Sequence, residues 1–529
     1  MKKISRILCL LLVISMFSLV LIACGDDEPS GTATSGNTSG NGGNSNNSGN
    51  GDNNAAGNNS GNTDTENEGF RLEKQNFGGT TIKFLTDQAT DYISWEVAPQ
   101  ELAEGDRVNN AFYNRKAIIE QEYGLILEQE YAENQSAIVT TARDYITSGL
   151  DEYQVYVAGL LYLAMLTGDE LLLDLSSIDS NDYLDFTKPY WDQSIMRDLT
   201  VLDSVYFATG DALVTDDDAT WAVFFNKDIA NDYRVAENHG VSSLYDFVNE
   251  GKWTIDLMYE LAQEVTSDNG DAGMAWGADT PDTWGLLSQC YDSYAFTVGC
   301  GETLMQNDGT EITITAGRQS CVGAFDKVFT MLTDRNHVAI AEKIGPSGTC
   351  YTELIDMFAA GKGLFMPNRI ATVSNPVLRN ADIHYGLLPM PKVNEQQEEY
   401  TTTVTVYWCS AFAIPITNVE KLDATCYALE AMAYYGMKDV TPEYYDHTLK
   451  DKRFEDPESL EMLDLIFRNR TYDMSAVFNF SNSLTFFTGI LLNGLNGQSN
   501  SHIATLESVE DSWQLAIDDY IAQIKDARG

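Results

Sequence analysis

The chain alternates short runs of β-type residues with longer segments whose apolar positions recur every three or four residues. Thr80–Thr86 and Leu125–Glu130 have the pattern of strands, and Val108–Tyr123 between them has that of a helix, which Gly124 ends. The next predicted elements are a helix over 137–149 and a strand over 153–158. Strands separated by single helices are typical of a parallel sheet with helices on both faces, so the first lobe is predicted to be α/β.

The second half continues this alternation. Trp221–Lys227 is predicted to be a strand, and the turn Gly251–Thr254 separates two predicted helices, with Thr254 as the N-cap of the second. The remaining predicted elements are helices over 243–248, 255–265 and 351–360, strands over 363–366 and 385–389, a β-type segment over 401–415, and helices to the end. The roughly 460 residues from Phe70 onward exceed what one hydrophobic core usually holds, so two lobes are expected.

The first residues have the order of a secretory signal. Three basic residues within the first six positions precede an apolar run, Ile7–Ile22, that is short for a membrane span. Leu21–Cys24 resembles the lipobox of bacterial lipoproteins, in which cleavage precedes a cysteine that is then acylated. The resemblance implies a signal peptide over 1–23 and a lipid anchor on Cys24. The alternative is an ordinary signal peptide followed by a chance cysteine.

A tether follows the anchor. Residues 24–69 are mainly Gly, Asn, Ser and Thr, with no apolar periodicity. Such a segment cannot bury enough apolar surface to offset its ordering entropy, so we expect it to be disordered. A coil of this length has a root-mean-square span of roughly 35 Å. That reach suits a lipid-anchored domain that stands off a membrane.

Charge restricts the partners. The chain has 32 Lys and Arg against 79 Asp and Glu, a formal net charge of −47. Such a surface repels nucleic acid and anionic lipid, so we expect no nucleic-acid partner. Cysteine usage leaves disulfides and buried thiols equally open for an exported domain. The cysteines concerned are Cys290, Cys300, Cys321, Cys350, Cys409 and Cys426.

Catalytic motifs do not stand out. The sequence has no His-Glu-x-x-His and no Gly-x-Ser-x-Gly, and Gly361–Gly363 is not a phosphate-binding loop, because Gly363 stands where Ser or Thr would hold magnesium. The five histidines have no ligand spacing. Ser267–Ala272 departs from a calcium loop at two positions, which favours a polar turn and leaves calcium open. We therefore expect neither enzyme activity nor a cofactor, although a pair of glycosidase carboxylates would leave little trace.

Aromatic residues suggest the ligand. Sugar rings offer an apolar face to aromatic side chains and a hydroxyl rim to Asp, Asn and Arg. Five tryptophans fall in or beside predicted loops and strand ends: Trp95, Trp221, Trp276, Trp284 and Trp408. Tyr407, Trp408 and Trp284 have mixed polar and apolar neighbours and are the better ligand candidates. The alternative is that most of these rings belong to the core.

Several segments, in order, resemble the family 1 extracellular solute-binding proteins of ABC importers, the group that includes maltose- and oligosaccharide-binding proteins. The resemblance covers about 77–524. It is carried by Thr86-Asp87 after the first strand, Phe224–Lys227, Gly251–Asp256, Met357–Met366, Leu387–Pro391, and Ala413–Pro415 followed by 424–435. One departure is Asp216–Asp218, which matches no motif of that family and leaves the substrate class open.

The resemblance implies a two-lobed α/β periplasmic-binding-protein-like fold with a hinge and an interlobe cleft. The N-terminal lobe would take 77–207 and 362–400, and the C-terminal lobe 208–361 and 401–529. It further implies a monomer that captures a carbohydrate by lobe closure and delivers it to ABC transporter permease subunits at the extracytoplasmic face of the cell membrane. The alternatives are a surface-anchored glycan hydrolase and a glycan adhesin or sensor.

Ligands of open α/β sheets bind outside the carboxyl ends of the strands. This rule and the aromatic inventory select the candidate ligand-binding residues Asp87, Trp95, Asp211, Trp284, Asn368, Arg369, Tyr407 and Trp408. Two of them have plain alternatives. Arg369 could form a surface ion pair, and Asp211 could cap a turn or the hinge.

Overall fold

The computed structural model describes residues 69–88, 97–177, 183–270, 273–445 and 457–528, and Leu72 begins a single compact unit. The predicted signal peptide, Cys24 and nearly all of the predicted tether lie outside the described residues. The strands are β1 Thr80–Thr86, β2 Leu125–Tyr131, β3 Val155–Gly159, β4 Trp221–Asn226, β5 Trp284–Ser288, β6 Met305–Asn307, β7 Ile312–Ile314, β8 Val338–Ile340, β9 Gly363–Arg369, β10 Tyr385–Leu388, β11 Thr402–Thr403, β12 Ser410–Ala413 and β13 Arg470–Thr471.

Helices connect and cover these strands. They are α1 Arg107–Tyr123, α2 Gln135–Thr147, α3 Leu160–Gly168, α4 Gln193–Leu199, α5 Thr215–Asp218, α6 Lys227–Asp232, α7 Val235–Asn238, α8 Leu244–Asn249, α9 Ile255–Val265, α10 Asp292–Gly299, α11 Gln319–Leu332, α12 Ala341–Ile344, α13 Cys350–Ala359, α14 Pro376–Arg379, α15 Leu422–Tyr435, α16 Thr441–Glu443, α17 Pro457–Arg468, α18 Met474–Val477, α19 Phe486–Leu495 and α20 His502–Arg528. Short 3₁₀ segments lie at Ile370–Ser374 and Phe480–Thr485, and a π turn lies at Gly436–Val440.

Local signals account for the boundaries of the predicted helices. The Asp106 side chain accepts a hydrogen bond from the Asn109 N–H at the start of α1, and Gly124 ends that helix in the left-handed conformation at φ 62°. Thr254 caps α9 as predicted, its hydroxyl accepting from the Leu257 N–H. These elements form where the sequence predicts them because their caps and apolar stripes are local features.

The first sheet has the strand order β12-β3-β1-β2. β1 pairs in parallel with both β2 and β3, and β12 joins β3 in the antiparallel direction. The parallel pairings confirm the crossover connections that the alternation of strands and helices predicts. Ile82, Phe84 and Leu85 of β1 are buried, as expected for a central strand covered on both faces.

The second sheet has the order β10-β4-β9-β5-β8. β9, β5 and β8 are mutually parallel, whereas β4 runs antiparallel to both β9 and β10. All six residues of β4 are buried, which explains its continuous apolar sequence WAVFFN. Two separate α/β sheets confirm the two-lobed α/β architecture.

The pairings differ from the expected division of the chain between the lobes. Strands β9 and β10, from 362–400, lie in the second sheet rather than the first. Strand β12, from 401–529, lies in the first sheet rather than the second. The physical reason is that β9 returns from α13 alongside β5 and hydrogen-bonds to it, and such pairing partners are set by tertiary contact rather than by any motif along the chain.

Three segments that cross between the sheets run side by side, and we refer to 215–221, 402–410 and 469–473 together as the junction. The Thr405 N–H donates to the Ala219 carbonyl at 2.9 Å, the Thr402 hydroxyl donates to the Trp221 carbonyl at 2.5 Å, and β11 pairs in parallel with β13. The Thr215 and Ser410 hydroxyls are also hydrogen-bonded to each other. The two lobes are thus connected by three segments of the chain that are hydrogen-bonded to one another.

Two further expectations concern cysteine and the membrane. Within the described residues the six cysteines of the mature domain are unpaired thiols, and all are buried. The sequence left disulfides and buried thiols open, and the structure has buried thiols. Among the described residues there is no helix long and apolar enough to cross a membrane.

Candidate ligand-binding cleft at the lobe junction

The carboxyl edges of both sheets lie at the junction. In the first sheet, Gly159 at the end of β3 is opposite Ser410 at the start of β12. In the second sheet, Arg369 at the end of β9 is opposite Trp221 at the start of β4. Because the crossing segments lead into β4 and β12 at these points, the strand ends that usually border ligands in α/β sheets meet here.

Tyr407 is positioned by the end of β3. The Gln135 side chain donates to the Tyr407 carbonyl at 2.7 Å, and its own carbonyl oxygen accepts from the Gly159 N–H at 2.6 Å. A Cβ atom at residue 159 would lie 2.4 Å from the Tyr407 carbonyl oxygen, so this close approach requires glycine. The backbone of residue 407 is therefore held tightly against the first lobe.

Aromatic rings from the two lobes meet at this point. Tyr291 follows β5 in the second lobe, and its ring centroid is 6.5 Å from that of Tyr407 and 5.1 Å from that of Trp221. Tyr294 packs beside it at 5.4 Å. We refer to Trp221, Tyr291, Tyr294 and Tyr407 as the aromatic cluster. Trp221 and Tyr294 are buried, whereas Tyr291 and Tyr407 are partly exposed.

A carboxylate of the first lobe, Asp87, lies near Tyr162, which in turn lies near Tyr407. Asp87 follows β1 and is partly exposed, and burial raises its pKa. Burial and the nearby Asp87 carboxylate raise the pKa of Tyr162, and burial followed by Tyr162 raises that of Tyr407. Asp87, Tyr162 and Tyr407 are therefore electrostatic neighbours, which brings together an acceptor and two phenols.

Arg369 extends the site along the second lobe. Its guanidinium carbon lies 4.7 Å from the centroid of the Trp408 ring, within the range of a cation–π interaction. Asn368, beside it in β9, is 7% exposed, and its side-chain oxygen accepts from the Arg369 N–H. Burial raises the pKa of Asp218 to about 7 against the opposing effects of the Tyr444 hydroxyl and Arg369. The cationic face of the site thus consists of Arg369 stacked on an indole.

Asp292 is hydrogen-bonded to Trp221 of the aromatic cluster and holds that ring in place. Its carboxyl accepts from the Trp221 indole N–H at 3.1 Å, the Ser288 hydroxyl at 2.6 Å and the Gln289 N–H at 3.0 Å. The side chain is fully buried, and burial raises its pKa to about 8 despite these donors. Asp292 therefore fixes the end of β5 and the Trp221 ring, and it makes no direct contact with solvent.

The predicted site residues have different outcomes. Tyr407 and Trp408 lie in the junction and Arg369 lies against it, opposite Trp221, and all three are partly exposed. Asn368 precedes Arg369 and is buried, whereas Asp87 follows β1 in the first lobe and is partly exposed. Trp95 and the lipidation residue Cys24 lie outside the described residues. The remaining two, Trp284 and Asp211, lie elsewhere.

Trp284 begins β5 rather than following it. The residue is 2% exposed, and its indole N–H donates to the Ala275 carbonyl at 2.9 Å. Asp211 accepts a hydrogen bond from the Thr441 hydroxyl, and burial raises its pKa to about 7. Its charged neighbours are Asp216, Arg470 and Asp192, so it belongs to the carboxylate group around Arg470 rather than to the aromatic cluster. The alternative role of Asp211 as a turn or hinge cap stays a prediction.

The sequence analysis did not select Tyr291 and Tyr162. Tyr291 follows β5, a five-residue strand that was not predicted. The rule that ligands bind beyond the carboxyl ends of strands therefore could not select it. Tyr162 lies in α3, directly after β3, in a segment that reads as apolar core. A signal existed in both cases, because each residue lies within three positions of a strand end.

One surface group could hold a metal. His239, Glu260 and Glu264 bring one possible ligand atom each to within 4.8 Å of one another, with His239 Nε2 2.8 Å from Glu264 Oε1. The histidine is partly exposed and both glutamates are exposed. Such groups are common on acidic surfaces without a metal. At the weak calcium motif, Asp268 caps its own turn by accepting from the Gly270 N–H, and Asp271 lies outside the described residues.

Comparisons with known proteins agree with this fold. No protein-family model matches the sequence, and neither does any curated protein. Among solved structures, a sugar transporter from Rhizobium etli in an open conformation is similar at 16% identity, over 84% of this chain and 99% of that one, with a TM-score of 0.54. A family 1 extracellular solute-binding protein from Bifidobacterium longum subsp. infantis is similar at 14% identity, over 83% and 100%, with a TM-score of 0.52.

A third similar structure is the maltose/maltodextrin-binding domain from Bdellovibrio bacteriovorus bound to maltotriose, at 12% identity over 84% and 100% of the two chains, with a TM-score of 0.50. At these identities the likeness concerns the fold alone. The structure therefore has the two-lobed fold of family 1 solute-binding proteins, which confirms at the level of fold the resemblance inferred from the sequence.

Proposed function

We propose that this protein is an extracytoplasmic, lipid-anchored solute-binding protein that captures a carbohydrate between its lobes and delivers it to an ABC transporter permease, without turnover. The observation that carries the proposal is the meeting of two partly exposed aromatic residues from the two lobes, Tyr407 and Tyr291, with Arg369 close by, opposite Trp221 and over the Trp408 ring. Rings cover the apolar face of a sugar, and the charged groups bind its hydroxyl rim.

The fold supports the same reading. A ligand that contacts rings on both lobes favours the state in which the lobes are close, which is a hinge closure. Structures of similar fold include a sugar transporter and a maltodextrin-binding domain with maltotriose bound. The lipobox at Cys24 supports anchoring, because a tethered binder stays at high effective concentration near its permease.

Isothermal titration of residues 70–529 with a panel of mono- and oligosaccharides tests ligand capture. We expect one glycan class to bind, to remain intact afterwards and to reduce the radius of gyration measured by small-angle X-ray scattering. Tyr291→Leu and Tyr407→Leu should each weaken binding about tenfold or more, because each removes a ring surface. Tyr233→Leu is the matched control, since Tyr233 is an exposed tyrosine of the second lobe outside the junction.

The outcomes separate the alternatives. Shortened glycan after incubation would identify a hydrolase, and binding to polymer without compaction would identify an adhesin. Absence of binding across the panel would overturn the carbohydrate assignment. Anchoring is tested separately in cells that export the chain, where Cys24→Ser should release it from the membrane fraction and abolish incorporation of labelled fatty acid.

A further inference from the structure

A cavity of about 280 Å³ lies beside β8, the edge strand of the second sheet. None of its lining residues belongs to the aromatic cluster or to the charged groups of the cleft. The lining residues are Met274, Trp276, Trp284, Arg335, Val338, Ile340, Lys343, Ile344 and Leu495. The cavity is therefore separate from the site described above, and it includes Trp284, which the sequence analysis selected for ligand binding.

The apolar part of the wall offers ring and aliphatic surface with few hydrogen-bonding groups. The Trp284 indole N–H donates to the Ala275 carbonyl, and the Trp276 indole N–H donates to Glu353 Oε2 at 2.7 Å. Both indole donors are thus already used, so the two tryptophans contribute only apolar surface to the cavity. A sugar would find few partners here for its hydroxyl rim.

The ionisable residues of the wall are both cationic. The chain has 79 acidic residues against 32 basic ones, yet Arg335 and Lys343 are the only ionisable residues of the lining. Within the described part of the chain neither forms an ion pair, and Lys343 Nζ donates to the neutral Asn496 side chain at 2.6 Å. The adjacent Asp334 carboxylate is occupied by the Tyr259 hydroxyl and His337.

Two other lysines on this lobe do form ion pairs. Lys327 pairs with Asp256, and Lys252 pairs with Glu250 at 2.7 Å. The Glu353 carboxylate near the cavity is already bonded to the Trp276 indole, so the two cations without carboxylate partners are the charges that would attract an anion. The combination is complementary to a molecule with an apolar body and one negative group.

We propose that this cavity binds a small monocarboxylate with an aromatic or branched aliphatic body. The carboxylate lies against Arg335 and Lys343, and the body packs on Trp276 and Trp284. The volume lies just below the usual range of small-molecule pockets, which fits a compact acid rather than an oligosaccharide. This site is independent of the carbohydrate function proposed for the cleft.

The test is isothermal titration of the chain from residue 25 onward with 3-phenylpropionate and with the matched neutral 3-phenylpropanol. We expect the acid to bind with a stoichiometry of one, at least tenfold more tightly than the alcohol, and more weakly at high salt. Arg335→Gln and Lys343→Gln should each weaken binding of the acid about three- to tenfold. Arg318→Gln, which removes an exposed arginine bonded to Gln306, should leave it unchanged.

The position of the bound acid is settled by one further variant. Tyr407→Leu alters the cleft and should leave binding of the acid intact. Equal binding of acid and alcohol, no binding of the acid, or loss of binding in Tyr407→Leu with retention in the Arg335→Gln/Lys343→Gln double variant would each overturn the proposal. Both basic side chains are at least partly exposed, so the variants are expected to fold, and circular dichroism checks this.

Discussion

Replacing Arg470 should strongly destabilise the protein in a pH-dependent way. The Arg470 side chain is 7% exposed, and its guanidinium lies 3.2 Å from Asp192 Oδ2, 3.0 Å from Asp216 Oδ2 and 2.7 Å from Asp217 Oδ1. It is thus one buried cation for three carboxylates at the junction. In the Arg470→Gln variant these carboxylates lose the one cation that is bonded to them among the described residues.

The expected magnitude follows from burial. Removing one partner of a buried ion pair costs about 3–5 kcal/mol of unfolding free energy, because the other charge stays buried and uncompensated. We expect a loss in this range at pH 8. Arg107→Gln is the matched control: Arg107 pairs with Glu443 at 2.9 Å, but its side chain is 56% exposed, so its loss should cost less than about 1 kcal/mol.

The dependence on pH has a definite sign. Burial raises the pKa of Asp216 and Asp217 above the unfolded value, and Arg470 opposes this rise. A carboxyl with a raised folded pKa binds more protons in the folded state, so stability falls as pH rises from the unfolded pKa through the folded one. Without Arg470 the pKa values of these carboxyls rise further. The loss of unfolding free energy in Arg470→Gln should therefore be smaller at pH 5 than at pH 8, by at least about 1.4 kcal/mol, the equivalent of one pKa unit.

Urea unfolding followed by tryptophan emission, at pH 5 and pH 8, measures both quantities. The wild type, Arg470→Gln and Arg107→Gln are compared at the same ionic strength, and the slopes with urea must agree for the comparison to hold. A loss below 1 kcal/mol at pH 8, or equal losses at the two pH values, would refute the account of the junction as a carboxylate cluster held by one arginine.

Three further predictions concern neighbouring features. Burial raises the pKa of Asp218 to about 7, so its deprotonation lowers the unfolding free energy of the wild type between pH 5.5 and pH 8. In Asp218→Asn this decrease should be smaller by about 2 kcal/mol. An unchanged pH profile would count against the prediction. Gly159→Ala should destabilise by about 1–3 kcal/mol, since the new Cβ meets the Tyr407 carbonyl oxygen at 2.4 Å, whereas Gly168→Ala, with open space around it, should not; equal thermal shifts would contradict the close approach. Dithiothreitol should leave the melting temperature unchanged because the six described cysteines are buried thiols, and a drop of several degrees would reveal disulfides.

Local pattern was sufficient for much of the fold. β1 spans the residues predicted for it, and α1 and α9 lie within one residue of their predictions, with the predicted Gly124 and Thr254 at their ends. Periodicity, capping residues and turn residues act over a few positions, so they are readable along the chain. The rule of strand ends likewise selects Arg369, which the structure places over the Trp408 ring, while the ligand-binding role of the selected residues stays a prediction.

Pairing between distant segments was not readable in this way. The position of β9 and β10 in the second sheet depends on hydrogen bonds to β4 and β5. Tyr291 joins the site only because its ring reaches Tyr407, more than a hundred residues further along the chain. Such contacts are chosen by the packing of whole elements, which leaves no mark on the local sequence of either partner.

Asp216–Asp218 illustrates the division. The sequence shows three consecutive acids that match no motif, and its composition favours a solvated surface for most carboxylates. The tertiary structure instead buries Asp216 and Asp218, joining the first to Arg470 and the second to Tyr444. The sequence alone determined the elements with strong local signals, such as β1, α1 and α9, and the acidity of the chain. Only the fold decided which acids lie in the junction, because a buried charge depends on a partner that another segment supplies.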